Sequence, residues 1–338
     1  MGKPSVTNVL PGVLRISAEP YQYFSDAEVH ALLTADPRGY FNFIRDAMVE
    51  IAGGRAHLTL PPKQVFTDHV TGGDFRVMPC ELRVGASVMK TVKLVGTNTL
   101  QRRVPDQITV GKLFVVDRDE NFVSAILEAC ILSSARTGVC AALAVSCLAR
   151  GCERMVVVGS GRVGYYAALY AVAAAGVAHV TFCDLDADRA RETAALLAAT
   201  CPGVKTDAQP FDALAKFDIV VLATTSARPV ASPPGWGANL VVSLGADTDS
   251  QSELDPAWCG RAQLFCDTPD SLRFGDLRTW MEAGRINADS VPDLLDVLRK
   301  PARATKQPRI FISTGSALFD NLTASYVLER AAGKPQRS

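Results

Sequence analysis

The stretch Arg154-Met-Val-Val-Val-Gly-Ser-Gly-Arg-Val-Gly164 restricts this chain more than any other. Met155 to Val158 form a short apolar run that reads as a buried parallel strand. Gly159, Gly161 and Gly164 follow at the spacing G-x-G-x-x-G. In that spacing one glycine makes a tight turn, one lets the backbone approach a pyrophosphate, and one lets a helix pack on the strand. The apolar run Tyr165 to Ala175 then reads as a helix whose first amides and dipole face the phosphates. A second strand, His179 to Asp184, ends in an acid about twenty residues past the last glycine, placed to accept from ribose hydroxyls. Strand, glycines, helix and acid together predict a dinucleotide site rather than a chance glycine turn. Arg162 and Val163 in the glycine loop join Gly159, Gly161, Gly164 and Asp184 as expected cofactor contacts. Thr224, Ser243 and Gly245, near the ends of later strands, complete that set. A carboxylate at the ribose favours NAD, because it repels the 2′-phosphate of NADP. Arg189, close behind, keeps NADP open.

The later part of the chain repeats the strand–helix alternation. Apolar runs over Asp218 to Thr224, Asn239 to Gly245 and Gln263 to Asp267 predict a doubly wound parallel sheet of the Rossmann type, with its ligand at the strands' carboxyl ends. Helices are expected near Leu272 to Ala283 and Val291 to Arg299, then a strand over Arg309 to Gly315. The last helix, Ala317 to Ala332, would return to the N-terminal part. Cys130 to Leu148 reads as a helical linker.

Before that linker the pattern changes. Residues 1–20 read as a loose arm. Helices are expected over Asp26 to Leu33, opened by Ser25, and over Gly39 to Ala52, with Phe41, Ile44, Met48 and Ile51 on one face. Short strands follow within His57 to Thr67 and over Asp74 to Cys80, Ala86 to Val95, Ile108 to Val116 and Phe122 to Ile126. His30 and His57 read as surface residues. The predicted class is α/β, with a Rossmann NAD(P)-binding domain over residues 131–308. Residues 1–130 and 309–338 would form an α+β domain for substrate binding and dimerisation.

Bulk composition excludes several functions. At 338 residues the chain has room for two cores. Its 35 basic and 35 acidic residues balance, with no long run of one sign, which argues against nucleic-acid and polybasic membrane partners. No apolar run reaches the ~18 residues of a spanning helix, and no signal-peptide pattern opens the chain. Val6 breaks the myristoylation pattern. Nine cysteines without a C-x-x-C pair read as thiols of a reducing cytoplasm, Cys130, Cys140, Cys147 and Cys183 among them as core residues. Four histidines, none at ligand spacing with a cysteine, predict no metal site.

Arg76 and Lys93 are out of place among apolar strand neighbours, and a half-buried charge is costly unless paired. One reading makes each a solvent-facing position of an alternating strand. The other makes them a pocket for a carboxylate, joined by Lys63 and Arg136. Asp247 follows the strand ending at Gly245, where dinucleotide enzymes place chemistry. It reads equally as a helix cap or loop acid, and Asp249 is a comparable loop acid.

Taken together, these pieces resemble the ornithine cyclodeaminase/mu-crystallin family. The matching elements are Arg76-Val-Met-Pro79, Val92-Lys93-Leu-Val, Ser134-Ala-Arg136-Thr-Gly138, Val158-Gly-Ser-Gly161, Leu244-Gly-Ala-Asp247 with Glu253-Leu254, and Ser313-Thr-Gly315-Ser-Ala. The resemblance spans roughly residues 25–332. It implies a homodimer with NAD or NADP chemistry at the α-carbon of an amino acid. By motif position Lys93 and Arg136 would hold the substrate carboxylate, and Asp247 would face the nitrogen, which makes Lys93 and Asp247 the candidate catalytic pair. Arg136, Thr137 and Gly138 would lie against the cofactor. Cyclodeaminases similar to this chain carry a glutamate where Arg76 stands, thought to engage the substrate amine. A cation there would repel an ammonium. Pro62-Lys63 followed by Phe75-Arg76-x-Met-Pro79 instead resembles the alanine dehydrogenase and imino acid reductase branch, in which Lys and Arg grip a carboxylate. The stretch Glu128 to Thr137 also resembles the branch oxidising N-(2-amino-2-carboxyethyl)-L-glutamate.

The leading expectation is thus an imino acid reductase or amino acid dehydrogenase. A secondary-amine dehydrogenase, a cyclodeaminase and a non-catalytic cofactor-binding protein stand behind it.

Overall fold

The computed structural model describes residues 12–333 except 69, 72, 99–102, 105, 106, 108, 249 and 304. The start of the N-terminal arm, Ile108 and Asp249 lie outside the described residues.

Two seven-stranded sheets carry the chain. The first contains β1 (Gln22–Phe24), β2 (Ala56–Thr59), β3 (Gln64–Thr67), β4 (Asp74–Val84), β5 (Ser87–Thr97), β6 (Thr109–Val116) and β7 (Val123–Glu128). Its order is β1-β7-β6-β5-β4-β2, with β3 beside β4. Every pairing is antiparallel except that of β1 with β7. Strand β1 has no counterpart in the sequence reading, since three residues are too few to show alternation. The short strands expected within His57 to Thr67 are β2 and β3, with Lys63 in the break between them.

Helices α1 (Asp26–Thr34) and α2 (Pro37–Ala52) cover this sheet's inner face together with α3 (Ala129–Leu148). Ser25 and Glu28 close a capping box on α1; Asp36 caps α2, and Pro37 supplies its first turn. Phe41, Ile44, Met48 and Ile51 are buried on one face of α2, as their spacing predicts. By length and composition α3 is long and apolar enough to cross a membrane, although no unbroken run marks it in the sequence; it is instead a core helix, packed on α4 (Arg162–Ala175). The crossing is close because of Gly138, where a Cβ would stand 2.5 Å from the Tyr166 carbonyl carbon.

The second sheet is wholly parallel. It contains β8 (Arg154–Val158), β9 (His179–Cys183), β10 (Lys205–Ala208), β11 (Ile219–Leu222), β12 (Leu240–Ser243), β13 (Gln263–Cys266) and β14 (Arg309–Ile312). Its order is β10-β9-β8-β11-β12-β14-β13. Burial on both faces explains the unbroken apolar runs of β8, β11 and β12. Helices α5 (Ala187–Thr200), α6 (Gly275–Glu282) and α7 (Leu294–Arg299) connect or flank its strands. The helix expected from Leu272 starts later, because a 3-10 turn over Pro269–Arg273 precedes it. Likewise α7 starts at Leu294, where Asp293 and Asp296 form its capping box. Helix α8 (Ala317–Ala331) returns to pack on β4, β5 and α3.

Candidate active site

The glycine loop has tight backbone contacts at two of its glycines and open space at the third. Gly159 has φ +97°, and a Cβ there would lie 2.3 Å from the Ala223 carbonyl oxygen. A Cβ on Gly164 would lie 2.2 Å from the Gly159 oxygen, so the first turn of α4 sits directly on the loop. Gly161 is the opposite case: nothing lies within 4 Å of where its Cβ would be. It is the N-cap of α4 with no side-chain cap. Open space over a helix N-terminus is what a pyrophosphate needs, and Arg162 and Val163 open that helix. Asp184 accepts from the Ser160 amide at 2.7 Å and the Asp186 amide at 3.0 Å, which pins the acid at the loop's edge. Arg189 turns towards Asp186, 3.6 Å away, and remains exposed.

Beyond β11 and β12 stands a residue the sequence reading quoted but gave no task. Glu253 is fully buried. One of its oxygens accepts from the Thr224 amide (2.7 Å) and hydroxyl (2.9 Å). The other accepts from the Ser243 hydroxyl (2.7 Å) and the amides of Leu244 (3.1 Å) and Gly245 (2.9 Å). Burial raises its pKa against these five donors. Asp276 in turn accepts from the Glu253 and Leu254 amides at 3.0 and 3.1 Å. Thr224, Ser243 and Gly245 are therefore gathered on one carboxylate. Ser243 is fully buried with its hydroxyl on Glu253, so that hydroxyl holds the strand end. The Thr137 hydroxyl bonds within its own helix, to the Ser133 carbonyl at 2.8 Å.

Arg76 and Lys93 point inward, at 7% and 1% exposure, which removes the solvent-facing reading. Alternation runs the other way from its usual sense: Phe75 and Leu94 face outward. The Arg76 guanidinium forks onto Asp74 at 2.8 and 2.9 Å and reaches Asp247 at 2.5 Å. Lys63, held after Pro62, donates to the Thr314 carbonyl at 2.6 Å and lies 3.8 Å from the centre of the Phe274 ring. Lys93 meets Asp320 of α8 at 2.7 Å and Ser133 at 3.3 Å. Arg136 meets the same Asp320 at 3.0 Å. Its terminal nitrogens lie against Gly315 (φ +87°), where a Cβ would come within 2.9 Å of both. Asp267 anchors that turn, accepting from the Ser313 hydroxyl at 2.7 Å and the Gly315 amide at 3.1 Å.

The four expected cations thus converge, opposed by Asp74, Asp247 and Asp320. Burial lowers the Lys63 pKa to about 8, with Asp247 opposing, and the Lys93 pKa to about 7, with Asp320 opposing. Burial works to raise the Asp247 pKa, but Arg76 and then Lys63 hold it below the ordinary value. Asp247 keeps 32% of its side chain exposed, more than any of the groups it faces. Two partners were missed in the sequence. Asp74 lies two residues before Arg76 on the same strand face, a spacing that could have signalled it. Asp320 sits among Leu318, Phe319 and Leu322, an acid on an apolar helix. Among the described residues no cluster of His, Cys, Asp and Glu is arranged to hold a metal.

Comparison with known proteins adds an independent line. The model of the ornithine cyclodeaminase/mu-crystallin family matches residues 25–335. Iminosuccinate reductase of Paracoccus denitrificans is 29% identical over 66% of this chain and 71% of its own. Alanine dehydrogenase of Archaeoglobus fulgidus is 27% identical over 91% of this chain and 94% of its own. Among solved structures, Thermococcus litoralis Δ1-pyrroline-2-carboxylate reductase with NADH and L-proline superposes with a TM-score of 0.82 at 20% identity, covering 92% of this chain and 98% of that one. An archaeal alanine dehydrogenase dimer with bound NAD gives 0.80 at 22% identity, over 93% and 96%. These two likenesses establish the fold.

Proposed function

The chain belongs to the ornithine cyclodeaminase/mu-crystallin family, and from that premise we propose that it is an NAD(P)-dependent oxidoreductase acting on the C–N bond of a small amino or imino acid. It would work as an imino acid reductase or an amino acid dehydrogenase. The observation that carries this reading is Arg76 lying against Asp247 with Lys63 alongside. A buried guanidinium receives a carboxylate well and an ammonium badly. The names of relatives such as iminosuccinate reductase and alanine dehydrogenase support the same chemistry.

The residues present fit a dinucleotide: open space over Gly161, an uncapped α4 and Asp184 at the loop edge. NAD is favoured over NADP by Asp184. When bound, it supplies or accepts a hydride at the substrate α-carbon. Lys63, Arg76, Lys93 and Arg136 grip the carboxylate and so fix the α-carbon in the cleft. Asp247 is held anionic by its cations, and so pairs with a protonated imine nitrogen. A protonated imine is the more electrophilic form, so holding that proton lowers the barrier.

The decisive experiment is oxidation of NADH and NADPH with a panel of 2-oxo acids plus ammonia or methylamine, with products identified by mass spectrometry. A secondary-amine product only from bulky amines would favour the opine-like reading. Silence across the panel with tight cofactor binding would favour a non-catalytic binding protein.

A homodimer goes with this reading. The outer face of the first sheet exposes Val65, Phe66, Phe75 and Leu94, with the two phenylalanine rings stacked at 4.5 Å. This apolar patch, bordered by Lys112 opposite Leu94, suits a second copy of the chain. Leu94→Glu should yield a monomer in light scattering; an unchanged mass would place the interface elsewhere.

A further inference from the structure

Lys93 and Arg136 come from different elements, mid-strand in β5 and mid-helix in α3, yet converge on one carboxylate from a third, α8. All three groups are buried, Asp320 at 1% exposure. Two cations left buried side by side would repel each other strongly. Asp320 touches Lys93 with both oxygens, at 2.8 and 2.7 Å, and one of them lies 3.0 Å from Arg136 Nε, an ion contact without a hydrogen bond. The terminal nitrogens of Arg136 stay directed at the Gly315 turn. One acid therefore serves two cations and leaves the group with a net positive charge. Arg76, by contrast, is matched by two acids.

We propose that Asp320 is a positioning residue: its carboxylate, shared between Lys93 and Arg136, keeps both charges side by side so that they act as one receptor for the substrate carboxylate. This rests on the oxidoreductase reading for the receptor's use, but not for the charge coupling itself. The other groups facing Lys93 are Arg136 from α3, which disfavours its charge, Arg76 from β4, which does the same, and the Ser133 hydroxyl. Nearby Cys80 and Tyr40 are neutral, because burial pushes the thiol up to about 12 and the phenol further above its ordinary value. Asp320 is thus what sustains the Lys93 charge.

The test is Asp320→Asn in the full-length protein, read in two ways. The first needs no substrate: thermal midpoints of wild type and variant from pH 6 to pH 9. Without Asp320 the folded-state pKa of Lys93 falls further below its unfolded value. The penalty is full below the variant's lowered Lys93 pKa, shrinks as pH rises from there towards the wild-type value of about 7, and vanishes once Lys93 is neutral in both proteins. The gap in midpoint should therefore narrow as pH rises; a constant gap would overturn the proposal. The second is the pH profile of kcat/KM. Its alkaline limb should move down by about one to three pH units, the size of shift an adjacent opposite charge produces, with NADH affinity unchanged and Asp320→Glu restoring part of the shift. An unmoved limb also overturns it. If the wild type turns over no imino acid, the oxidoreductase reading fails while the thermal arm still decides the coupling. If Asp320→Asn does not fold, the change is repeated in Lys93→Met. There one buried cation fewer should restore folding, and failure to restore it would count against the coupling.

Discussion

In the parallel sheet the acids Asp184, Glu253 and Asp267 lie beyond strand ends and accept from backbone amides and hydroxyls. In the antiparallel sheet the buried charges Arg76 and Lys93 stand within strands and pair with other charges. An acid bonded to amides fixes backbone, because each donor belongs to a strand end or turn. An acid bonded to a cation sets charge, because removing it leaves the partner's charge unbalanced. On the proposed reading, then, the lobe built on the parallel sheet shapes a place for the cofactor, and the lobe built on the other sheet sets the charge that the substrate meets. Substitutions in the two regions should fail differently.

The largest effect is expected at Asp247, a cation-paired acid that keeps 32% of its side chain exposed, more than Asp74 or Asp320. Asp247→Asn should lower turnover by about 10²–10⁴-fold, the range of a positioned acid–base group. NADH affinity, measured by fluorescence, should barely change. Near-normal turnover would remove Asp247 from the mechanism. Arg76→Ala comes next. It strands Asp74 and Asp247 without their buried partner, a change that costs about 3–5 kcal/mol for a fully buried pair and less here, where Asp247 is partly solvated. Urea unfolding should show that loss together with a raised KM for the imino acid. A loss of NADH affinity instead would break the division between the lobes.

The pH profile sharpens the same division. Carboxylate binding needs charged lysines, and Lys63 and Lys93 lose their protons near about 8 and about 7. As pH rises kcat/KM should fall, by up to about tenfold per unit between those values and up to about a hundredfold per unit above both. The acid limb should lie below the ordinary carboxylate range, since Asp247 is held down by Arg76 and Lys63 against its burial. The KM for NADH should stay level across the alkaline window. A parallel rise would mean that the cations serve the cofactor.

Much of this arrangement was legible in the sequence, unevenly. The parallel sheet announced itself because burial on both faces writes strands as apolar runs and the glycine spacing is tied to backbone geometry. Spacing alone gives Gly161 and Gly164 separate tasks, and one stands in open space while the other is tightly packed. Arg76 and Lys93 were visible only as misfits, since a strand's alternation does not say which face is inside. Their outer neighbours Phe75 and Leu94 made the ordinary reading attractive. Asp320 was illegible because its partners lie 227 and 184 positions earlier in the chain, and only folding brings them together. The partner of the Ser243 hydroxyl was hidden for a related reason: a polar residue at a strand end shows nothing of Glu253, ten positions on.

Glu253 gives the smallest effect and the cleanest test of the amide-anchored class. Glu253→Gln preserves shape but replaces an acceptor-only oxygen with an NH₂ group that faces donors. If that group takes the side towards Ser243, Leu244 and Gly245, three bonds are lost; if it takes the side towards Thr224, two are lost. Either way buried donors are left unmatched, at about 1–3 kcal/mol. The damage should be spent on the ends of β11 and β12. The KM for NADH should therefore rise a few-fold while the alkaline limb set by the lysines stays where it is. A variant with unchanged NADH binding and a displaced limb would show that Glu253 acts through charge after all, and the contrast between the two sheets would lose its meaning.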